Sequence, residues 1–245
     1  MTEDLLRLRE RPDDRPVMRQ KWHHLTFVHW AVDPDVVRSR LPQSLEPDIF
    51  EGRAYLSLVP FTMTGVTPVR LRPRPFFSDF HETNVRTYVK RKGRDPGVWF
   101  FSLEASKLLP VVVARNRYRL PYHLARMSIR PTDGACSYRT ERLWPGPASG
   151  LSELGCAYED EPCEAVPGTL EFWLLERYLL YARSGGRLFT GRVHHPPYRF
   201  TKARLTSLKE SLTTAAGFPA LGPPLANVQF SPHVAVDVFA LRPCD

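Results

Sequence analysis

The sequence predicts an α+β protein built on one strongly curved or closed, largely antiparallel sheet with a few helices packed on it. Three observations carry this expectation. Strand-type segments, either alternating or continuously apolar, recur along the chain between turns rich in glycine and proline. Only three stretches read as helices. No internal repeat and no linker divides the 245 residues, of which 42% are hydrophobic, so residues 18–245 are read as a single domain with a substantial core.

Residues 1–17 are charged and read as a mobile arm or a short docking helix. Lys21 to Val32 is a strand, with Trp22, His24, Thr26, Val28 and Trp30 on one face and His23, Leu25, Phe27 and His29 on the other. Adjacent histidines on a regular strand point apart, so His23 and His24 cannot together clamp a metal. Asp33 caps and Pro34 begins a helix that ends before Pro42. Glu51-Gly52 turns the chain into a strand from Ala54 to Met63. Residues 64–80, rich in proline and arginine, read as a long loop, either a lid over a cavity or a packed crossover.

The stretch from His81 to Met127 organises the rest. Asn84, Arg86 and Tyr88 share one face of a strand and Val85, Thr87 and Val89 the other. Lys92 to Gly97 is a turn, and Val98 to Ala105 is a nearly continuous apolar strand ending beside Glu104. A buried carboxylate there requires a partner, for which Arg115 or Arg86 is expected. Pro110 starts a helix over Val111 to Arg117, and Tyr122-His123 opens another strand. Further on, Cys136 to Leu143 reads as a strand and Trp144 to Pro167 as irregular. Thr169 caps a helix from Leu170 to about Ala182 that ends at Gly185-Gly186. Arg187 to His194 and Val234 to Leu241 are strands, and Tyr198 to Leu212 is mixed.

Composition narrows the function classes. No apolar run approaches the roughly 20 residues of a membrane helix, and the N-terminal residues lack a secretory core, so no membrane role and a cytoplasmic location are expected. The four cysteines form no CxxC pair and no zinc-finger spacing, and no metal or cofactor is expected. The net charge of +8 comes from arginines spread among acids without a basic block, which argues against nucleic acid. Self-association into a homo-oligomer is compatible with this composition.

The phrases KWHHLTFVHWAVDP, DIFEGRAYLSLVPF, FHETNVRTYV, GVWFFSLEA and ARNRYRLPYHLARM, followed by ERYLLYA, HHPPYRF and SPHVAVDVFAL, resemble the YqjF-like family of uncharacterised bacterial proteins over nearly the whole chain. That family is similar to the acetoacetate-decarboxylase-like fold, and the resemblance implies a large β-barrel or cone with an internal cavity. The decarboxylase pattern has an aromatic–proline–lysine–lysine turn. Here the corresponding turn ends in Pro121-Tyr122-His123, which offers no primary amine for a Schiff base.

The expected site therefore gathers the polar residues of the central stretch around a small anionic or carbonyl compound. Glu104, Arg115, His123 and Tyr122 are the candidate catalytic residues, and Glu82, Asn84, Arg86 and Tyr88 the candidate binding residues. Imidazole titrates near neutrality and suits acid–base work, while arginine grips anions bidentately. Two plainer readings stand beside this: a buried ion-pair network holding the barrel, and a cavity that binds without catalysis.

Overall fold

The computed structural model describes residues 2–69, 79–118, 120–146, 149–224 and 228–244, with Arg117 and Tyr118 as backbone only. Its core is a ring of seven strands: β1 (Met18–Val32), β3 (Ala54–Pro68), β4 (Phe80–Arg91), β5 (Arg94–Ala105), β10 (Leu179–Ser184), β11 (Arg187–His194) and β14 (Val228–Val238). Consecutive pairings run β4–β5–β10–β11–β14–β1–β3 and return to β4. All are antiparallel except β5–β10, a short parallel joint at Leu180 and Tyr181 opposite Val98 and Trp99. The sheet is thus largely antiparallel, as expected, with a short parallel joint, and it curls on itself as the strand pattern implied.

A second wing leaves the ring at β5. β6 (Tyr122–Thr132) runs parallel to it, and β7 (Ala135–Trp144), β8 (Leu151–Ala157) and β13 (Arg204–Glu210) follow in an antiparallel meander. This wing covers the outer face of the ring. Val28, Leu56, Leu58, Val85 and Phe230 of the ring cluster there with Tyr138 and Leu154 of the wing and with Leu212 from α5 (Leu212–Ala215). Short strands β2 (Glu46–Pro47), β9 (Cys163–Glu164), β12 (Arg199–Lys202) and β15 (Arg242–Pro243) complete fifteen strands among the described residues.

Helices close the ends. α1 (Thr2–Arg9) buries Leu5 and Leu8, so the N-terminal segment takes the docked-helix form. α4 (Leu170–Leu175) seals one end of the ring. Its Trp173 ring lies 4.8 Å from Tyr88 and 5.4 Å from Tyr55. At the other end, α3 (Leu108–Val113) continues into a π-helical turn, Ala114–Tyr118. α2 (Pro34–Arg38) starts as expected, with Asp33 accepting a hydrogen bond from the Asp35 amide. No helix among the described residues is long and apolar enough to cross a membrane.

Four local readings are corrected. The helix expected to reach Ala182 stops at Leu175, and Leu179–Ser184 is β10. Gly185-Gly186, both at positive φ, form the turn of the β10–β11 hairpin instead of ending a helix. The β8 and β9 strands lie inside the stretch taken as irregular. Finally, His24 sits at φ 52 within β1, where the register against β3 shifts. That bulge reverses the facing of the preceding residues, so Gln20 and Trp22 join Leu25 and Phe27 on the interior wall. Most of residues 64–80 continue β3 or lie outside the described residues, and the lid reading falls on the latter.

Candidate functional site

The ring encloses a cavity of about 890 Å³. Most of its wall is apolar, contributed by Trp22, Phe27, Phe61, Phe80, Phe100 and Leu103 from four ring strands. Alternation along β4 puts Glu82, Asn84 and Arg86 on the interior face as a polar stripe. Thr83, Val85 and Thr87 point outward, and Thr83 shares a 2.8 Å hydrogen bond with Thr140 of the wing.

The closed end of the cavity is cationic. Arg86 is buried, with its guanidinium carbon 5.5 Å from the centroid of Phe27 and 5.7 Å from that of Tyr88. Arg177, which follows α4, stands 4.9 Å from the same Tyr88 ring and 4.3 Å from Trp173. It pairs with buried Asp48 at 2.6 Å. Two guanidiniums therefore stand at this end, and its one carboxylate, Asp48, pairs with Arg177 alone. Among the described residues Arg86 forms no ion pair, and its Nε and the Nη2 of Arg177 are buried without a hydrogen-bond partner. A buried charge without a counter-charge is costly, so this end of the cavity suits an anion. Desolvation and the Arg86 charge hold neighbouring His29 far down, to about 3, so it stays neutral and adds no competing charge.

Nearer the other end, the Tyr122 hydroxyl donates a 2.6 Å hydrogen bond to Glu82, and the Asn84 amide reaches the other carboxylate oxygen at 3.4 Å. Burial lifts Glu82 to about 7 against the pull of these two donors. It also raises the Tyr122 phenol, as does the carboxylate beside it. Both protonation states of Glu82 are accessible near neutral pH, which is the condition for giving or taking a proton in a cavity.

The eight expected site residues thus divide. Glu82, Asn84, Arg86 and Tyr122 line the cavity together. Tyr88 lies beneath it, with its hydroxyl 2.9 Å from that of Ser57 and its ring under both arginines. Glu104 and His123 are one residue out of phase with the interior-facing Leu103 and Tyr122, and so face the wing. Glu104 takes two hydrogen bonds from Arg142 of β7, at 3.0 and 2.5 Å, and not from Arg115 or Arg86 as expected. The partner is different because the β6–β7 hairpin folds Arg142 back over the outer face, a pairing set by the wing alone. His123 donates to the Pro145 carbonyl at 3.3 Å, and burial with nearby Arg142 lowers it to about 4. Arg115 donates to the Tyr122 carbonyl at 2.6 Å and lies 5.9 Å from the centroid of the Trp144 ring. It holds the turn that carries Tyr122.

Sequence reasoning missed Arg177 and its partner Asp48. A signal was present: Glu176-Arg177 interrupts the apolar run LLERYLL, and a charged pair in a buried segment requires partners. Among the described residues no group of three or more histidine, cysteine, aspartate or glutamate side chains is placed to hold a metal.

Comparison with known proteins fits this architecture. The DUF2071 family, described as an uncharacterized conserved protein, matches residues 19–235. The uncharacterized protein YqjF of Bacillus subtilis (strain 168) is 35% identical over 208 residues, 84% of each chain. Among solved structures, the enduracididine biosynthesis enzyme MppR complexed with pyruvate superposes with a TM-score of 0.62 at 15% identity, covering 96% of this chain and 93% of that one. The acetoacetate decarboxylase of Legionella pneumophila gives 0.62 at 13% identity, covering 96% and 92%. These likenesses establish the acetoacetate-decarboxylase-like fold.

Proposed function

The chain belongs to the DUF2071 family, and from that premise we propose that its cavity binds a small anionic or carbonyl compound, on which Glu82 and Tyr122 can act as a proton-transfer couple. The observation that carries this reading is the charge imbalance at the closed end, where Asp48 pairs with Arg177 and buried Arg86 is left as a positive charge for a ligand. A carboxylate bound there would gain charge-assisted hydrogen bonds from donors that are otherwise idle.

The chemistry is not Schiff-base chemistry. Lysine is absent from the described lining of the cavity, and the turn that resembles the decarboxylase's lysine turn carries Tyr122 and His123 instead. Titration calorimetry with pairs of ligands that share a skeleton, one a carboxylate and one its neutral amide, tests the binding half. The acid should bind at least tenfold more tightly, and Arg86→Met should abolish the difference. Equal binding of acid and amide to the parent overturns the reading. Solvent deuterium exchange at the carbon beside the ketone of a bound keto acid whose ketone lies well away from its carboxylate, followed by NMR, tests the proton-transfer half. Exchange should disappear in Glu82→Gln, whereas binding without exchange in the parent makes the protein a binding domain.

A further inference from the structure

Resting on that anion-binding reading, we infer that the ligand is an amphipathic monoanion, a single carboxylate head on an extended apolar body, and not a short keto acid. Charge sets the head. Two buried guanidiniums against one buried carboxylate leave room for one negative charge. Of the other polar groups on the wall, Arg192 has a buried Nε without a partner, but it gives Nη2 to the carbonyls of Leu8 and Glu10 and its charge is offset by the carboxylates of Glu10 and Asp14. Glu82 is committed to Tyr122 and Asn84.

Volume and lining set the body. A cavity of about 890 Å³ lies high in the range of roughly 300–1,000 Å³ that holds drug-sized ligands. A four-carbon acid seated at Arg86 would leave most of the aromatic wall formed by Phe27, Phe61, Phe80 and Phe100 without contact. The cavity is also long. Arg86 and Glu82 lie four residues apart on one strand, a span of about 13 Å at the usual rise, and the lining continues past Glu82 to α3.

There the wall reaches the surface. Leu109 and Val113 line the cavity and are 54% and 47% exposed, so the mouth itself is apolar. An apolar rim offers nothing to a small hydrophilic acid, but it continues the surface that an extended hydrocarbon body would use. The ligand enters tail-last, with its carboxylate at the closed end and its apolar end beside α3.

Calorimetry with the saturated monocarboxylates of four, eight and twelve carbons, together with 1-octanol, tests this on the intact chain. Octanoate should bind at least tenfold more tightly than butyrate, since each methylene buried is worth up to roughly fourfold in affinity. Octanoate should exceed 1-octanol by at least tenfold. Arg86→Met should reduce octanoate to the alcohol's level, while Arg86→Lys, which keeps the charge, retains part of the preference. If butyrate binds as well as octanoate and still depends on Arg86, the inference about the body is overturned and the anion site stands. If 1-octanol matches octanoate in the parent, the carboxylate head is overturned, and with it the anion-binding reading. Failure of all three acids to bind overturns the inference as well.

Discussion

Arg142 donates two hydrogen bonds to one oxygen of Glu104, and both side chains are buried. Burial alone would raise the Glu104 carboxyl, and the Arg142 charge pulls it back, so each residue is tolerated only because of the other. Arg142→Met should therefore destabilise the protein by about 3–5 kcal/mol, the cost of stranding one member of a buried pair. The double variant Glu104→Leu, Arg142→Met should recover most of that loss. Urea denaturation measures both. Because the pair faces the wing, ligand affinity of the folded double variant should stay within about twofold of the parent, and a larger change would place the pair in the site.

Glu82 has the opposite pH signature to an ordinary surface carboxylate. Its folded value is about 7 and its unfolded value near 4.5, so between these the folded chain binds the extra proton. Stability from this group is present below pH 4.5 and is lost as pH rises toward 7. Glu82→Gln removes the loss. Relative to the parent it should gain with rising pH, by up to about 3 kcal/mol at pH 8. Chemical denaturation at pH 5 and pH 8 reads the difference, and parallel pH profiles for parent and variant would refute it.

His195 contributes the reverse slope. It is sandwiched between Tyr178 and Tyr198 at 4.6 Å from each and is held down to about 4 by burial. Between pH 4 and its unfolded value of 6.5, the unfolded chain carries the proton and the folded chain does not, so stability rises with pH across that window. His195→Gln should flatten the rise by about one proton's worth of slope. An unchanged slope, measured by denaturation at half-unit steps, would show that the ring titrates freely in the folded state.

Gly97 marks the joint where the ring closes. A Cβ built there would meet the Leu179 carbonyl oxygen at 2.8 Å and the Tyr181 ring at 2.9 Å, across the parallel β5–β10 pairing. Gly97→Ala should cost about 1–3 kcal/mol through overpacking, and Gly97→Val more. Thermal unfolding of the two variants checks the order. Tolerance of valine would mean that the ring does not depend on this approach.

Incubation with acetoacetate and borohydride should leave the intact mass unchanged, because Tyr122 cannot form an iminium and the described lining of the cavity includes no lysine. A stable adduct on Lys107 in the mass spectrum would make this a relocated Schiff-base enzyme.

Local chemistry in the sequence determined which residues lie on each wall of a strand and where the chain turns. Period-two alternation alone placed Glu82, Asn84 and Arg86 together. Turn chemistry marked Glu51-Gly52 and Lys92-Gly93, all at positive φ, although Arg94 to Gly97, which also read as turn, are the first residues of β5. That the turn after Pro121 carries Tyr122 and His123 and no primary amine was equally visible, because it depends on residue identity and not on geometry. Tertiary structure decided the partners. Whether Glu104 meets Arg142 or Arg115 depends on how the wing folds over the ring, and whether Arg177 meets Asp48 depends on the seating of α4. The phase reversal at His24 also belongs to the fold, since a bulge arises only against a neighbouring strand. LLERYLLYA reads as helix throughout. Its apolar spacing suits a helix, but hydrogen bonds to β11 and β5 are what extend its second half into the strand that closes the ring. Pairings between segments distant in sequence have no local code, so they were settled only when the strands met.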